Sequence, residues 1–331
     1  KRFWGLALPI WTFEDGSFYV VGSKEELKEM AIEGWEEFEG KTPHRPWIDK
    51  VKIKHPETNL IGTRIKDVGN PWLDAGIVPF STLKYYEDKE YWLKWFPGDF
   101  VTECFPGQFR NWFYSLLAMS AELEGVAPFK TLLGHALVKD EKGKEMHKST
   151  GNAIWFDEAA EKMGVDVMRW MYASQNVEHH LLFGYSAADE VRKKIITLWN
   201  VYSFYATYAN LDEFSPGNFT LKTKNMTILD KWILAKTNKL IEIAKISFDN
   251  YKISEFMKIF EFYLDDLSNW YIRRNRRRFW KSDNDEDKNT AYMTLFKVLC
   301  DVIKILSPVI PFITEKIYQN LVRNSVENSP E

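Results

Sequence analysis

The stretch "GDFVTECFPGQFRNWFYSLLAMSAELEGVAPFKTLLGHALV", residues 98–138, decides the fold. "GDFVTE" (98–103) reads as a short buried strand. "QFRNWFYSLLAMSAELEG" (108–125) reads as a helix that Gly125 stops, and "FKTLLGHALV" (129–138) as a second strand. Parallel strands need a crossover where antiparallel ones need only a turn, so strand, helix and strand at this spacing predict a parallel βαβ unit. In such sheets ligands bind beyond the carboxyl ends of the strands. Those ends are Glu103 to Gln108 and Val138 onward, and a site is expected there.

The next segment is "KDEKGKEMHKSTGN" (139–152), with Lys142, Lys144 and Lys148 around Gly143. Backbone N–H groups and a lysine can hold a polyphosphate whose charge grows in a transition state. A solvated hairpin turn explains the same residues, and local sequence favours it because lysine-rich turns are common. The pattern GxxxxGK[ST] is absent. After Gly151 the chain reads as mostly helical, with Asp157 and Asp166 as N-caps and Gly164 as a stop between them. Helical patterns follow at roughly 187–211, 226–247, 252–280, 289–306 and 311–323. The polar "EFSPGNFTLKTKN" (213–225) marks a domain boundary.

On the N-terminal side, "SKEELKEMAIEGWEEFE" (23–39) predicts one helix. Ser23 and Glu26 form a capping box, and Leu27, Met30, Ala31, Trp35 and Phe38 share a face. Residues 40–97 are turn-rich and read as short strands and loops. "NPWLDAGIVPF" (70–80) places Trp72 and Asp74 in a turn, where Trp72 either walls an apolar pocket or packs as a loop tryptophan. "TECFPGQFRNWF" (102–113) allows two readings of the same kind. Glu103 could hold an ammonium group, or the segment could be a cap followed by a buried face with Trp112 and Phe113 in the core.

"LSNWYIRRNRRRFWKS" (267–282) carries five arginines in six positions beside Trp270, Tyr271, Phe279 and Trp280. On a helix these arginines cover more than half the circumference, so they cannot form one ion-paired stripe. Few carboxylates lie within the run, and acidic residues return only in "DNDED" (283–287). RNA binding is therefore favoured over a solvated helix end. The net charge of −3 makes any such surface a local patch.

The bulk numbers bound the rest. A length of 331 residues predicts two or three domains, and 45% hydrophobic with 27% charged residues describes a soluble globular chain. The two cysteines, Cys104 and Cys300, are far apart and form no CxxC. A disulfide scaffold and a cysteine-rich zinc site are disfavoured, and a reducing, cytoplasmic location is expected. No apolar run reaches spanning length, and no signal peptide opens the chain. His179 and His180 are adjacent, point apart on a helix and lack a third ligand, so no metal site is expected. The opening "KRFWGLALPIW" has no initiator Met, and an upstream part is expected.

Taken in order, these segments resemble the class I aminoacyl-tRNA synthetases, most closely the isoleucine branch, over nearly the whole chain. "RFWGLALPIW" (2–11) resembles the segment after the editing insertion. "HRPWID" (44–49) and "PWLDAGIVPF" (71–80) resemble the HRPYID and WFDSG-type blocks. "FPGDFVTE" with "GQFRNWFYSLL" (96–117) resembles FPAD and EGxDQxRGWFYSLL. "LLGHALVKDEKGKEMHKSTGN" (132–152) resembles the strand leading into KMSKS. "LDKWIL" (229–234), "LSNWYIRRNRRRFW" (267–280) and "LSPVIPFITEKIY" (306–318) resemble the anticodon-binding region.

The resemblance implies an α/β, Rossmann-like catalytic half with a parallel sheet, followed by an all-α anticodon-binding helical bundle. It divides the chain into 1–150 (the second catalytic half, with 12–70 as connective region), 151–215 (a helical stem-contact region) and 216–331 (the anticodon-binding domain). It implies an isoleucine–tRNA ligase that uses ATP with Mg²⁺, takes isoleucine and tRNA(Ile) as partners and is a monomer; with no cysteines in 52–64 and no apolar run of spanning length, neither structural zinc nor membrane contact is expected. Lys148 would be the catalytic lysine. His135, Val138, Met146, His147, Lys148 and Ser149 would bind ATP, and Glu103, Gln108, Trp72 and Trp112 the amino acid or adenylate. Arg273, Arg274, Arg276, Arg277, Arg278 and Trp280 would bind tRNA.

The chain also departs from the pattern. No HIGH-type signature and no bulk of an editing domain are present. Residues 145–149 read Glu-Met-His-Lys-Ser where the family has Lys-Met-Ser-Lys-Ser. "ECFPGQ" carries an extra residue, with Gly107 where an acid is expected, and no cysteines accompany "KIKHPETNLIGTR" (52–64). The chain alone is therefore expected not to adenylate. A synthetase-like tRNA-binding protein without that activity, or a valine or leucine relative, is the alternative.

Overall fold

The computed structural model describes residues 5–281 and 285–325. Residues 2–4 of "RFWGLALPIW", residue 282 of the arginine-rich segment and residues 283–284 of "DNDED" lie outside the described residues. The chain forms two compact units, Lys1–His135 and Ala136–Glu331.

The first unit begins with an antiparallel sheet of β1 (Ile10–Thr12), β2 (Phe18–Val20), β3 (Ala31–Glu33), β4 (Lys52–Lys54) and β5 (Ile61–Arg64), in the order β2-β1-β5-β4-β3. Trp11, Phe13, Leu27, Phe38, Val51 and Ile53 are its buried core, and the Trp11 indole N–H donates to the Val51 carbonyl at 2.8 Å. The predicted helix 23–39 is two helices, α1 (Lys24–Met30) and α2 (Trp35–Phe38), with β3 between them. The Ser23 cap forms, accepting the Glu26 N–H at 3.0 Å. Gly34 interrupts the helix at φ 80°, a region open to glycine, and a Cβ there would lie 2.0 Å from the Lys50 carbonyl oxygen. Helical spacing of apolar residues could not reveal that β4 pairs with residues 31–33.

Residues 71–76 and 78–81 are helical, contrary to the expected turn: α3 (Pro71–Gly76) and α4 (Val78–Ser81). The cause is local. Asn70 caps with its side chain, accepting the Trp72 N–H at 3.1 Å, and Pro71 occupies the first helical position. After α5 (Lys89–Leu93) comes the βαβ unit, with β6 (Gly98–Cys104), α6 (Phe105–Gln108), α7 (Trp112–Glu124) and β7 (Phe129–His135). The two strands are parallel, with Glu103 opposite Gly134 and Cys104 opposite His135. Gly125 ends α7 at φ 69°, its N–H reaching the Ser120 and Ala121 carbonyls at 3.1 Å.

The second unit is predominantly helical. A short parallel pair, β8 (Val138–Asp140) with β9 (Leu181–Phe183), flanks α8 (Phe156–Met163) and α9 (Val165–Ser174). Then come α10 (Tyr185–Leu211), α11 (Ile228–Asp249), α12 (Ile253–Asp265), α13 (Arg273–Trp280), α14 (Glu286–Leu306) and α15 (Pro311–Tyr318). Phe256, Phe260, Leu267, Tyr271, Leu295, Val298 and Leu299 are fully buried in one continuous core. The segment Asp266–Ile272 joins α12 to α13 as a π-helix, so 253–280 is one rod with a wide turn in its middle.

Asp157 and Asp166 do not cap their own helices; Trp155 and Gly164 stand at those positions. Asp166 instead accepts the N–H groups of Phe312 and Ile313 at 3.4 and 2.7 Å, capping α15 across the unit. One turn on, Arg169 donates to the Pro308 and Val309 carbonyls at 2.7 and 2.8 Å.

Candidate functional site

In the first unit, Glu103, Gln108 and Trp112 follow one another through the break after β6, while Trp72 lies on α3. Glu103 stands next to last on the strand, half-buried, its carboxylate accepting the Cys104 N–H at 2.8 Å. Gln108 does not open the long helix; it closes α6, and its side-chain oxygen accepts the Trp112 N–H at 3.3 Å at the start of α7. The break is held by Phe105, whose ring fills the space a Cβ at Gly134 would occupy, 2.4 Å away, and packs on Phe113 with ring centres 5.5 Å apart. Trp112 and Trp72 are both half-buried, on α7 and α3. The Trp112 indole N–H donates to the Ala75 carbonyl at 3.3 Å. Asp74, on the same helix as Trp72, has Oδ1 buried without a hydrogen-bond partner among the described residues.

Gly76 sets the spacing of these two helices. A Cβ there would stand 2.6 Å from the Ser115 carbonyl carbon and 2.8 Å from the Leu116 nitrogen. The obstacle is backbone, so no rotamer can relieve it. Gly76→Ala is therefore expected to push α3 from α7 and destabilise the chain by about 1–3 kcal/mol. Urea unfolding checks this, and an unchanged midpoint would refute the close-packing account.

His135 ends the first unit, and Val138 is not on its strand. The expected strand 129–138 breaks at Ala136 and Leu137. Their N–H groups donate to the Val177 carbonyl at 2.8 Å and to His180 Nδ1 at 3.1 Å, and Val138 starts a new pairing with Leu181. His180 is thus a backbone acceptor. Sequence reading missed β9; its only signal was the apolar triplet beside the two histidines. Among the described residues no group of three or more His, Cys, Asp or Glu could hold a metal, and no helix is long and apolar enough to cross a membrane.

The lysine-rich loop has two parts. Residues 140–144 are a hairpin turn, with the Asp140 carboxylate accepting the Lys142 and Lys144 N–H groups at 3.0 and 2.8 Å. This half agrees with the solvated-turn reading. Asn152 ties the loop together. It donates to Asp140 and to the Glu145 carbonyl at 2.9 and 3.0 Å, and accepts the His147 N–H and the Thr150 hydroxyl at 3.0 and 2.6 Å. The Asn152 hydrogen bond, with those from Lys144 and Lys142, holds the Asp140 carboxyl below its ordinary range. Glu141 reaches the start of α10, accepting the Ser186 N–H at 2.7 Å.

The second part carries the chemistry-bearing side chains. Val138 and Met146 are half-buried and pack against the core of the unit. His147, Lys148 and Ser149 are exposed. Glu145 faces His147, with its Oε2 3.4 Å from Nε2. Lys148 lies over the Trp155 ring, 4.6 Å from its centre, and among the described residues no carboxylate lies within ion-pair distance of it. The acid that replaces the first lysine of the motif therefore does not neutralise the second.

The arginine helix splits by function. Arg278 turns inward. Its guanidinium meets Asp230 at 2.8 Å and Asp287 at 2.8 Å, and only 12% of its side chain is exposed. Asp230 is fully buried and also accepts the Tyr271 hydroxyl at 2.9 Å. Arg278 is thus a structural partner, which corrects its place among RNA contacts. Arg273, Arg274, Arg276, Arg277 and Trp280 are exposed, while Tyr271, Ile272, Asn275 and Phe279 are buried. Among the described residues, none of these four arginines has a carboxylate within ion-pair distance. Like charges three or four residues apart repel one another on a helix. Such a face suits an anionic partner.

Residues 1–182 match the family described as tRNA synthetases class I (I, L, M and V), and residues 230–331 match the anticodon-binding domain of tRNA ligases. The chain is 42% identical over 328 residues to a protein of Clostridium novyi named isoleucine–tRNA ligase, covering 98% of this chain and 31% of that protein. It is 38% identical over 334 residues to the protein of that name from Methanothermobacter thermautotrophicus, covering 100% of this chain and 32% of that protein. The chain thus spans about a third of the length of these relatives. Among solved structures, a LeuRS of Agrobacterium radiobacter K84, in ternary complex with tRNA and LeuAMS, is similar in fold. Its TM-score is 0.68 at 14% identity, covering 97% of this chain and 39% of that one. The methionyl-tRNA synthetase of Mycobacterium tuberculosis with methionyl-adenylate has a TM-score of 0.63 at 17% identity, covering 87% and 58%.

Proposed function

The chain belongs to the class I tRNA synthetases (I, L, M and V), and from that membership we propose that it is the C-terminal-side part of an isoleucine–tRNA ligase. The observation that carries the amino-acid assignment is identity of 37–42% to isoleucine–tRNA ligases along essentially the whole chain. In the proposed reaction a carboxylate oxygen of isoleucine attacks the α-phosphorus of ATP, and pyrophosphate leaves. A hydroxyl of the terminal tRNA ribose then attacks the carbonyl of the adenylate, and AMP leaves. Mg²⁺ enters with ATP as part of the substrate.

Each residue has a role consistent with its position. Glu103, at the carboxyl end of a parallel strand, holds the α-ammonium group or the adenylate, with Gln108 beside it. Trp72 and Trp112 wall the aliphatic side chain. Lys148, charged and without a carboxylate partner among the described residues, takes the charge that develops on pyrophosphate. Ser149, His147, Val138 and Met146 contact the nucleotide, as does His135. The exposed arginines of α13 with Trp280 contact tRNA phosphates and bases. A site in the cytoplasm and a monomeric state belong to the same proposal.

Isoleucine-dependent exchange of pyrophosphate into ATP by the intact gene product tests the reading. Isoleucine is expected to support exchange far better than valine, because one methylene is worth about 10–200-fold in an apolar pocket. Exchange driven by leucine or methionine instead, or none at all, would refute it.

A further inference from the structure

The residue on the arginine helix that departs most from a plain solvated face is Trp270. It lies on the π-helical segment just before α13, 45% exposed, and the Arg274 guanidinium carbon sits 3.7 Å from the centre of its ring. At that distance the guanidinium lies directly over the indole face, in cation–π contact. Trp280, at the other end, is engaged more loosely. Arg276 stands 5.8 Å from its ring centre, and Tyr208 lies 6.4 Å away at 42°. The two tryptophans therefore present different chemistry. One ring face of Trp270 is covered by a cation.

We propose that Trp270 is a positioning residue for tRNA: its indole holds the Arg274 guanidinium at the exposed surface, so that Arg274 donates from its N–H groups to a backbone phosphate. The inference rests on the proposed tRNA-binding role of this helix. A free arginine side chain must lose rotamer freedom when it binds, and the cation–π contact removes part of that loss beforehand. No carboxylate among the described residues lies near enough to compete for the same N–H groups.

The test uses the intact gene product and an in vitro transcribed isoleucine tRNA, with affinity measured from about 50 to about 200 mM salt. Arg274→Ala is expected to weaken binding and lower the salt slope by about one. Trp270→Ala is expected to weaken binding by about two- to fivefold, to lower the slope in the same direction, and to add nothing in the Arg274→Ala background. Trp270→Phe is expected to recover most of the loss. An equal loss from Trp270→Ala in both backgrounds, with an unchanged slope, would mean that the indole stacks on a base, and would overturn the proposal. No loss from Trp270→Ala would overturn it as well. Arg273→Ala with Arg277→Ala is the separate control: unchanged affinity there removes the tRNA reading of the helix itself. Far-UV circular dichroism of each variant is expected to match that of the parent.

Discussion

Asp230→Ala is expected to destabilise the second unit by about 3–5 kcal/mol, because it leaves a largely buried guanidinium without its partner. Asp230 is fully buried and serves three groups. It closes the capping box of α11 through the Thr227 N–H and hydroxyl at 2.9 and 2.8 Å. It accepts the Tyr271 hydroxyl at 2.9 Å and the Arg278 guanidinium at 2.8 Å. Burial, together with the Asp230 carboxylate, pushes the Tyr271 hydroxyl far above its ordinary range, so it remains a donor. Arg278 keeps Asp287 at 2.8 Å, but that carboxylate is 42% exposed and a weak substitute. Denaturant unfolding followed by circular dichroism measures the loss. A change under about 1 kcal/mol would show that the network adds little. Replacing both charged partners, Asp230→Leu with Arg278→Met, is expected to recover only part of the loss: no charge is stranded, but the buried Tyr271 hydroxyl and the Thr227 N–H still lack their acceptor.

Lys148→Ala in the intact gene product is expected to slow isoleucine-dependent pyrophosphate exchange by about 10²–10³, the usual consequence of removing one group that stabilises developing charge. The KM for isoleucine is expected to change little, because the lysine acts on the leaving group and not on the amino acid. Its ammonium rests on the Trp155 ring, and Glu145 is engaged with His147 3.4 Å away, so charge is available to a phosphate. Lys148→Arg is expected to recover only part of the rate, since a planar fork does not replace a point charge. An undiminished rate for the alanine variant would make residues 145–150 a plain turn.

The parallel βαβ unit was legible because its signals are local: two apolar runs of strand length, a helical run between them and a glycine that ends it. The long helices of the second unit were legible for the same reason, with ends within a few residues of those expected. Where the reading failed, a distant partner had decided. Residues 31–33 have helical spacing but pair with Lys52 and Ile53. Val138 extends an apolar run but pairs with Leu181. Asp166 sits where a cap of its own helix was expected and instead caps α15. Trp72 is the exception: Asn70 and Pro71 before it form a local helix start that needs no distant partner.

Membership of the family, the order of the segments and the candidate residues Glu103, Gln108 and Lys148 are properties of the sequence alone, because motif chemistry is written in short stretches. The tertiary structure decided which like residues do unlike things. Five arginines look equivalent in "RRNRRR", yet Arg278 faces a buried carboxylate while Arg273, Arg274, Arg276 and Arg277 face solvent. Three lysines look equivalent in the loop after β8, yet only Lys148 lies on an indole. Charge type is local, but whether a charge is neutralised depends on the groups that folding brings within a few ångströms of it.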